Sequence, residues 1–168
     1  IAELQSTHDV NVVTEQNAHD VVWTQFRSPA DLCVFELDDT PAHAFIWAYL
    51  LQYGGVLLLR SLTLHRSRAQ ALALRRRAQD YATEFAFNHG HPLRLPGTQT
   101  MREENWPMLR VPLLAARLVV VPSRGVAAAL GDEYPEARVR YAPVAVQGVQ
   151  KVQGVQGVQE VQRVREVR

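Results

Sequence analysis

Asp31-Leu32-Cys33-Val34-Phe35-Glu36-Leu37, then Asp38-Asp39-Thr40-Pro41-Ala42-His43-Ala44-Phe45-Ile46-Trp47-Ala48-Tyr49-Leu50-Leu51, then Gly54-Gly55-Val56-Leu57-Leu58-Leu59-Arg60-Ser61-Leu62-Thr63-Leu64-His65 is the stretch that decides the fold. It reads as a short apolar strand, a helix opened by Pro41, a Gly-Gly stop and a second apolar strand. Strands that alternate with helices of this length predict β-α-β units and a parallel sheet. Leu32 to Leu37 and Val56 to Leu59 lack strict polar alternation, the pattern expected where helices cover both faces of such a sheet. Pro41 suits a first helical turn, where its missing N–H costs nothing. Asp39 or Thr40 is the expected N-cap. Gly54-Gly55 ends the helix. In open α/β sheets ligands sit at the carboxyl ends of strands. Those ends carry Asp38, Asp39, Thr40 and His43 after one strand, and Arg60, Ser61, Thr63 and His65 after the next.

The bulk numbers bound the answer. The chain has 168 residues, 47% hydrophobic and 21% charged, enough for one domain with its own core. A net charge of +1 gives no global field pointing to nucleic acid or an acidic substrate. The one cysteine, Cys33, has no internal partner for a disulfide and reads as a small apolar residue of a buried strand in a reducing, cytoplasmic setting. No apolar run reaches the roughly 18 residues that a membrane span needs, and no secretory leader is legible. The opening at Ile1, without a methionine, reads as a trimmed or incomplete frame.

Outward from the opening stretch, Val10 to Thr14 alternates and predicts a short strand. Residues 66–87 form the longest helix candidate, with Arg66, Arg68, Arg75, Arg76 and Arg77 around an Ala/Leu face and Tyr81, Phe85 and Phe87 extending it. His89-Gly90-His91-Pro92 breaks that helix, and residues 92–106 read as a loop. Trp106 to Ala116 predicts a helix interrupted at Pro112. Leu118 to Val121 is a third buried strand, Arg124 to Tyr134 an Ala-rich helix, and Arg138 to Tyr141 a fourth strand. From Val146 to Val167 valine recurs every third residue, mostly followed by Gln. A period of three fits neither helix nor strand, so residues 147–168 read as a low-complexity tail after a domain of residues 1–146.

Each candidate site residue has two readings. Asp38, Asp39, Thr40 and His43 either line a cleft at the strand ends and hydrogen-bond a ligand there, or serve as helix cap and first turn. Arg60 and Ser61 either meet a phosphate or close a strand-helix turn. His65 is a weak candidate for a catalytic base and otherwise a polar loop residue. Ser123 and Arg124 open a helix after a strand; Ser123 either meets an anion there or is simply the N-cap. His89 and His91 have only Glu84 nearby as a further donor and do not make a metal site. The arginines lack interleaved aromatics, so nucleic acid is not expected.

The order of these runs resembles a known family. Pro41-Ala42-His43-Ala44-Phe45-Ile46-Trp47-Ala48-Tyr49-Leu50, Gly55-Val56-Leu57-Leu58-Leu59-Arg60-Ser61-Leu62-Thr63-Leu64-His65, the Arg-rich helix, Tyr81-Ala82-Thr83-Glu84-Phe85-Ala86-Phe87-Asn88-His89, and Arg117-Leu118-Val119-Val120-Val121-Pro122-Ser123-Arg124-Gly125-Val126-Ala127-Ala128-Ala129-Leu130 are similar to the amino-terminal, acceptor-side domain of bacterial GT-B retaining glycosyltransferases. The resemblance covers roughly residues 8–146. It implies a Rossmann-like parallel sheet with flanking helices, and transfer of a sugar from a nucleotide-sugar donor to an acceptor hydroxyl without an obligatory metal or cofactor. It implies a sugar or lipid-linked acceptor. Basic helices of membrane-associated relatives suggest peripheral membrane contact through Arg66, Arg68, Arg75, Arg76 and Arg77, with a solvated helix face as the plainer reading. Many relatives carry His-Asp where this chain has Arg60-Ser61, so no catalytic base is carried over. The family binds its donor mainly through a second Rossmann-like domain, whose place the tail occupies. The expectation is an incomplete GT-B amino-terminal half, inactive alone; the alternative is a non-catalytic, degenerate or partner-completing module.

Overall fold

In the computed structural model, residues 2–72, 75–90 and 106–143 are described. His91, the loop of residues 92–105, the boundary at 146 and the tail of residues 147–168 lie outside the described residues. The elements run α1 (Ala2–Gln5), α2 (Asp20–Arg27), β1 (Val34–Leu37), a 3-10 turn (Pro41–His43), α3 (Ile46–Tyr53), β2 (Val56–Leu59), α4 (His65–Ala71), α5 (Ala78–His89), α6 (Arg110–Ala115), β3 (Leu118–Val121), α7 (Arg124–Glu133) and β4 (Val139–Tyr141). The four strands form one sheet in the order β1-β2-β3-β4, every neighbouring pair parallel. The fold is therefore α/β and Rossmann-like, with the parallel sheet that the opening stretch predicts.

The Gly-Gly stop is placed by sterics. Gly54 takes φ +61° and its N–H bonds Leu50 O at 2.9 Å, closing α3. Gly55 takes φ +140°, and a Cβ there would lie 2.3 Å from the Cys33 carbonyl oxygen. Only glycine lets β2 start this close to β1, where Val56 N–H bonds the same carbonyl at 2.9 Å.

Strand order explains where the core sits. Sequential parallel strands joined by right-handed crossovers advance in one direction and put the crossover helices on one face. Leu37, Leu57, Leu59, Val119 and Val121 point to that face and pack with Ile46, Trp47 and Leu50 of α3, Tyr81 and Phe85 of α5, Leu113 of α6 and Leu130 of α7. The alternate residues Val34, Glu36, Val56, Leu58, Leu118, Val120 and Arg140 point the other way and lie outside the core. Among the described residues, the helices that pack into this core lie on one face of the sheet.

Further differences are local. Val10 to Thr14 forms no strand; Thr14 N–H instead bonds Asn17 Oδ1 at 2.6 Å in a turn. Cys33 is half-buried ahead of β1 rather than enclosed, and its sulfur accepts from Gln25 Nε2 at 3.3 Å. The long Arg-rich helix is two helices, α4 and α5, parted by a turn in which Arg76 takes φ +62°. Arg75, Arg76 and Arg77 are therefore exposed residues of a connection, not one helix face. Pro112 falls within the first turn of α6, where its absent N–H is harmless, so it does not split the helix.

Candidate functional site

Parallel strands in register bring all their carboxyl ends to one edge. Leu37 pairs with Leu59, Leu58 with Val120, and Val121 with Tyr141. Asp38-Asp39, Arg60-Ser61 and Ser123-Arg124 consequently share the same edge of the sheet, as read from the sequence. The side chains there do not converge on one point.

Asp39 reaches across the edge: its Oδ1 accepts from Ser67 N–H at 2.8 Å. Ser67 is the third residue of α4, so this carboxylate caps α4 from another element. Neither Asp39 nor Thr40 caps the turn at Pro41; Thr40 occupies the cap position without a side-chain bond and is exposed. Asp38 turns back, its Oδ1 accepting from Asp39 N–H at 2.7 Å. Asp38 N–H donates to His43 Nδ1 at 3.0 Å, which leaves Nε2 as the protonated nitrogen of the neutral ring. Asp38 and His43 therefore stand together, half-buried, at the end of β1.

After β2, Arg60 is exposed and its Nε lies 3.6 Å from Glu36 Oε1. Ser61 Oγ donates to Thr63 O at 2.8 Å and accepts from Thr63 N–H at 3.2 Å, a turn closed on itself. His65 faces inward: its Nδ1 is 2.6 Å from the Tyr81 hydroxyl, and its ring stands edge-on to Trp106 at 4.9 Å. On the third edge segment, Ser123 Oγ accepts from Val126 N–H at 3.4 Å as the N-cap of α7, and the Arg124 guanidinium lies 5.1 Å over the Tyr141 ring.

Two features escape the sequence reading. The first is a buried polar set behind the edge. Arg68 is only 9% exposed; its guanidinium forks onto the Glu84 carboxylate, Nε to Oε1 at 2.8 Å, and stacks 4.1 Å over the Trp47 ring. Arg68 is therefore not on the surface, and the suggested membrane contact loses that residue. Arg66, Arg75, Arg76 and Arg77 are exposed, Arg77 pairing with Asp80 at 2.6 Å. The pairing of Arg68 with Glu84, sixteen residues on, has no sequence signature because it crosses two helices. The second is an apolar groove of about 250 Å³ running along α7, lined by Leu62, Pro107, Leu109, Val126, Leu130 and Glu133 among others. The i, i+4 spacing of Val126 and Leu130 was its legible signal.

Among the described residues, no group of three or more His, Cys, Asp or Glu side chains is arranged to hold a metal. None of their helices is long and apolar enough to cross a membrane. Tyr134, beside α7, has its phenol pushed up to about 12 by burial, with a hydrogen bond to Glu133 adding to it. No protein family, no curated protein and no solved structure matches this chain, so the α/β Rossmann-like architecture is what classifies it.

Proposed function

We propose that the chain is the acceptor-side half of a GT-B glycosyltransferase, which transfers a sugar from a nucleotide-sugar donor to an acceptor hydroxyl in the cytoplasm. The observation that carries this is the register that gathers Asp38-Asp39, Arg60-Ser61 and Ser123-Arg124 at one edge of a parallel sheet. The order of residue runs described above supports the same reading. So does the groove along α7, whose apolar walls suit the aglycone or lipid of an acceptor. In this proposal Asp38 and His43 contact the acceptor, Arg60 supplies the exposed guanidinium for a phosphate, and no metal or cofactor is required. Exposed Arg66, Arg75 and Arg76 are the residues left to meet an anionic membrane surface.

One observation favours a second reading, a non-catalytic module. Asp39, Ser61, His65 and Ser123 each have a local structural partner. A titration of the isotope-labelled chain with methyl and octyl glycosides separates the two. The glycosyltransferase reading expects amide shifts at residues 38–43 and 60–63, stronger for the octyl series, with affinities of about 1 mM. It also expects no sugar transfer by these 168 residues alone. The module reading expects no site-localised shifts. Transfer catalysed by the chain by itself would remove the half-enzyme proposal.

A further inference from the structure

The sheet presents a second apolar face that no described helix covers. Val34, Val56 and Leu118 align in one row by register, and Glu36, Leu58, Val120 and Arg140 in the next. Val34 is 56% exposed, and Leu58 and Val120 are half-buried. Leu32, just ahead of β1, adds further exposed apolar surface. Glu36 on β1 and exposed Arg140 on β4 stand at the two margins of the second row; exposed Arg138, one step ahead of β4, borders the first row, and Arg60 follows Leu58 beside Glu36.

We propose that this face docks a second copy of the chain, sheet against sheet, about a twofold axis parallel to the strands. Such an axis reverses strand order across the interface. Glu36 then faces Arg140 of the second copy, Leu58 faces its Val120, and Val56 faces its Leu118. The contact is isologous, so each pairing occurs twice. Sheets packed this way stand about 10 Å apart, within reach of an Arg and a Glu side chain. The other in-plane twofold, perpendicular to the strands, sets Glu36 against Glu36 and Arg140 against Arg140. The charge pattern therefore selects one of the two face-to-face arrangements. Glu36 now lies 3.6 Å from Arg60 in an exposed pair, which holds it only weakly.

Size sets the strength. Four strands about 4.8 Å apart, each up to four residues of about 3.3 Å, make a face roughly 19 by 13 Å. That is well short of the ~800 Å² per partner of a standard interface, so the dimer is weak and concentration-dependent.

Sedimentation velocity of the full chain over about 5 to 500 µM tests it. The expected result is a monomer-dimer equilibrium within this range. Glu36→Arg and Arg140→Glu each weaken association about tenfold, and the double swap restores it to within about threefold. Val120→Thr, nearly isosteric and on the same face, weakens it as well; circular dichroism checks that each variant is folded. A chain that stays monomeric throughout overturns the proposal. A dimer indifferent to both single swaps, or one that the double swap fails to restore, overturns it equally.

Discussion

Replacing Glu84 by Ala leaves the Arg68 guanidinium without its carboxylate in a site where Arg68 is 9% exposed. Two unit charges about 4 Å apart attract by about 4 kcal/mol at an effective dielectric of 20. Removing one partner of a buried pair costs about 3–5 kcal/mol, because the remaining charge stays desolvated. The Trp47 ring 4.1 Å from the guanidinium persists in the variant and retains some stabilisation, which places the loss near the lower figure, about 3 kcal/mol. For a chain of this size that lowers the melting temperature by about 6–12 °C. Urea unfolding followed by tryptophan fluorescence measures it, with an unchanged m-value showing that the unfolded state is the same. The pair itself is not indispensable. Arg68→Met with Glu84→Leu keeps an apolar partner and a sulfur against Trp47, so the double variant is expected within about 1 kcal/mol of the parent. A loss below about 1 kcal/mol for Glu84→Ala, or a double variant as unstable as the two single changes added together, refutes the account of a desolvated pair.

Asp39→Ala removes the cap on Ser67 N–H and is expected to cost about 1–2 kcal/mol, with increased amide exchange confined to the first turn of α4 as the local readout. Gly55→Ala drives a Cβ into the Cys33 carbonyl and imposes φ +140° on a residue that resists it; a loss of more than about 3 kcal/mol is expected in chemical denaturation, and a loss below 1 would mean the strands part easily there. Tyr134 holds its proton more tightly folded than unfolded, so its contribution is fully present below about pH 10 and is lost as pH rises through about 12. Tyr134→Phe is expected to flatten that alkaline decline in a pH series of thermal melts.

Strands and helices were legible wherever one local signal sufficed. The mainly apolar runs of β1, β2 and β3 and the two glycines at 54 and 55 needed no distant information, whereas the helix expected to open at Pro41 is a 3-10 turn at Pro41–His43 followed by α3 from Ile46. The long helix of residues 66–87 failed because periodicity is blind to a turn made by ordinary residues; Arg76 adopts φ +62° with nothing in its type to announce it. The candidate site divides the same way. Its location at the strand ends follows from topology alone. Its geometry does not, since Asp39 turns to α4 and His65 to α5 through tertiary contacts that no spacing encodes. Coverage of the sheet was illegible for a different reason: apolar residues record what must avoid water, not which neighbour hides them.

The sequential order of the four strands carries a consequence for how the chain comes to be folded. Each strand pairs with the one made just before it, so every closure spans one crossover and none waits for the far end. A chain emerging from the ribosome can add β2 with α3 onto β1, then β3 onto β2, then β4 with α7 onto β3, in the order of synthesis. The slowest step is the widest crossover, from Leu59 to Leu118, which must be spanned before β3 finds its edge. Until then the growing sheet ends at β2, whose free edge is an all-apolar strand waiting for its neighbour, and that interval is when the nascent chain is most open to pairing with the wrong one.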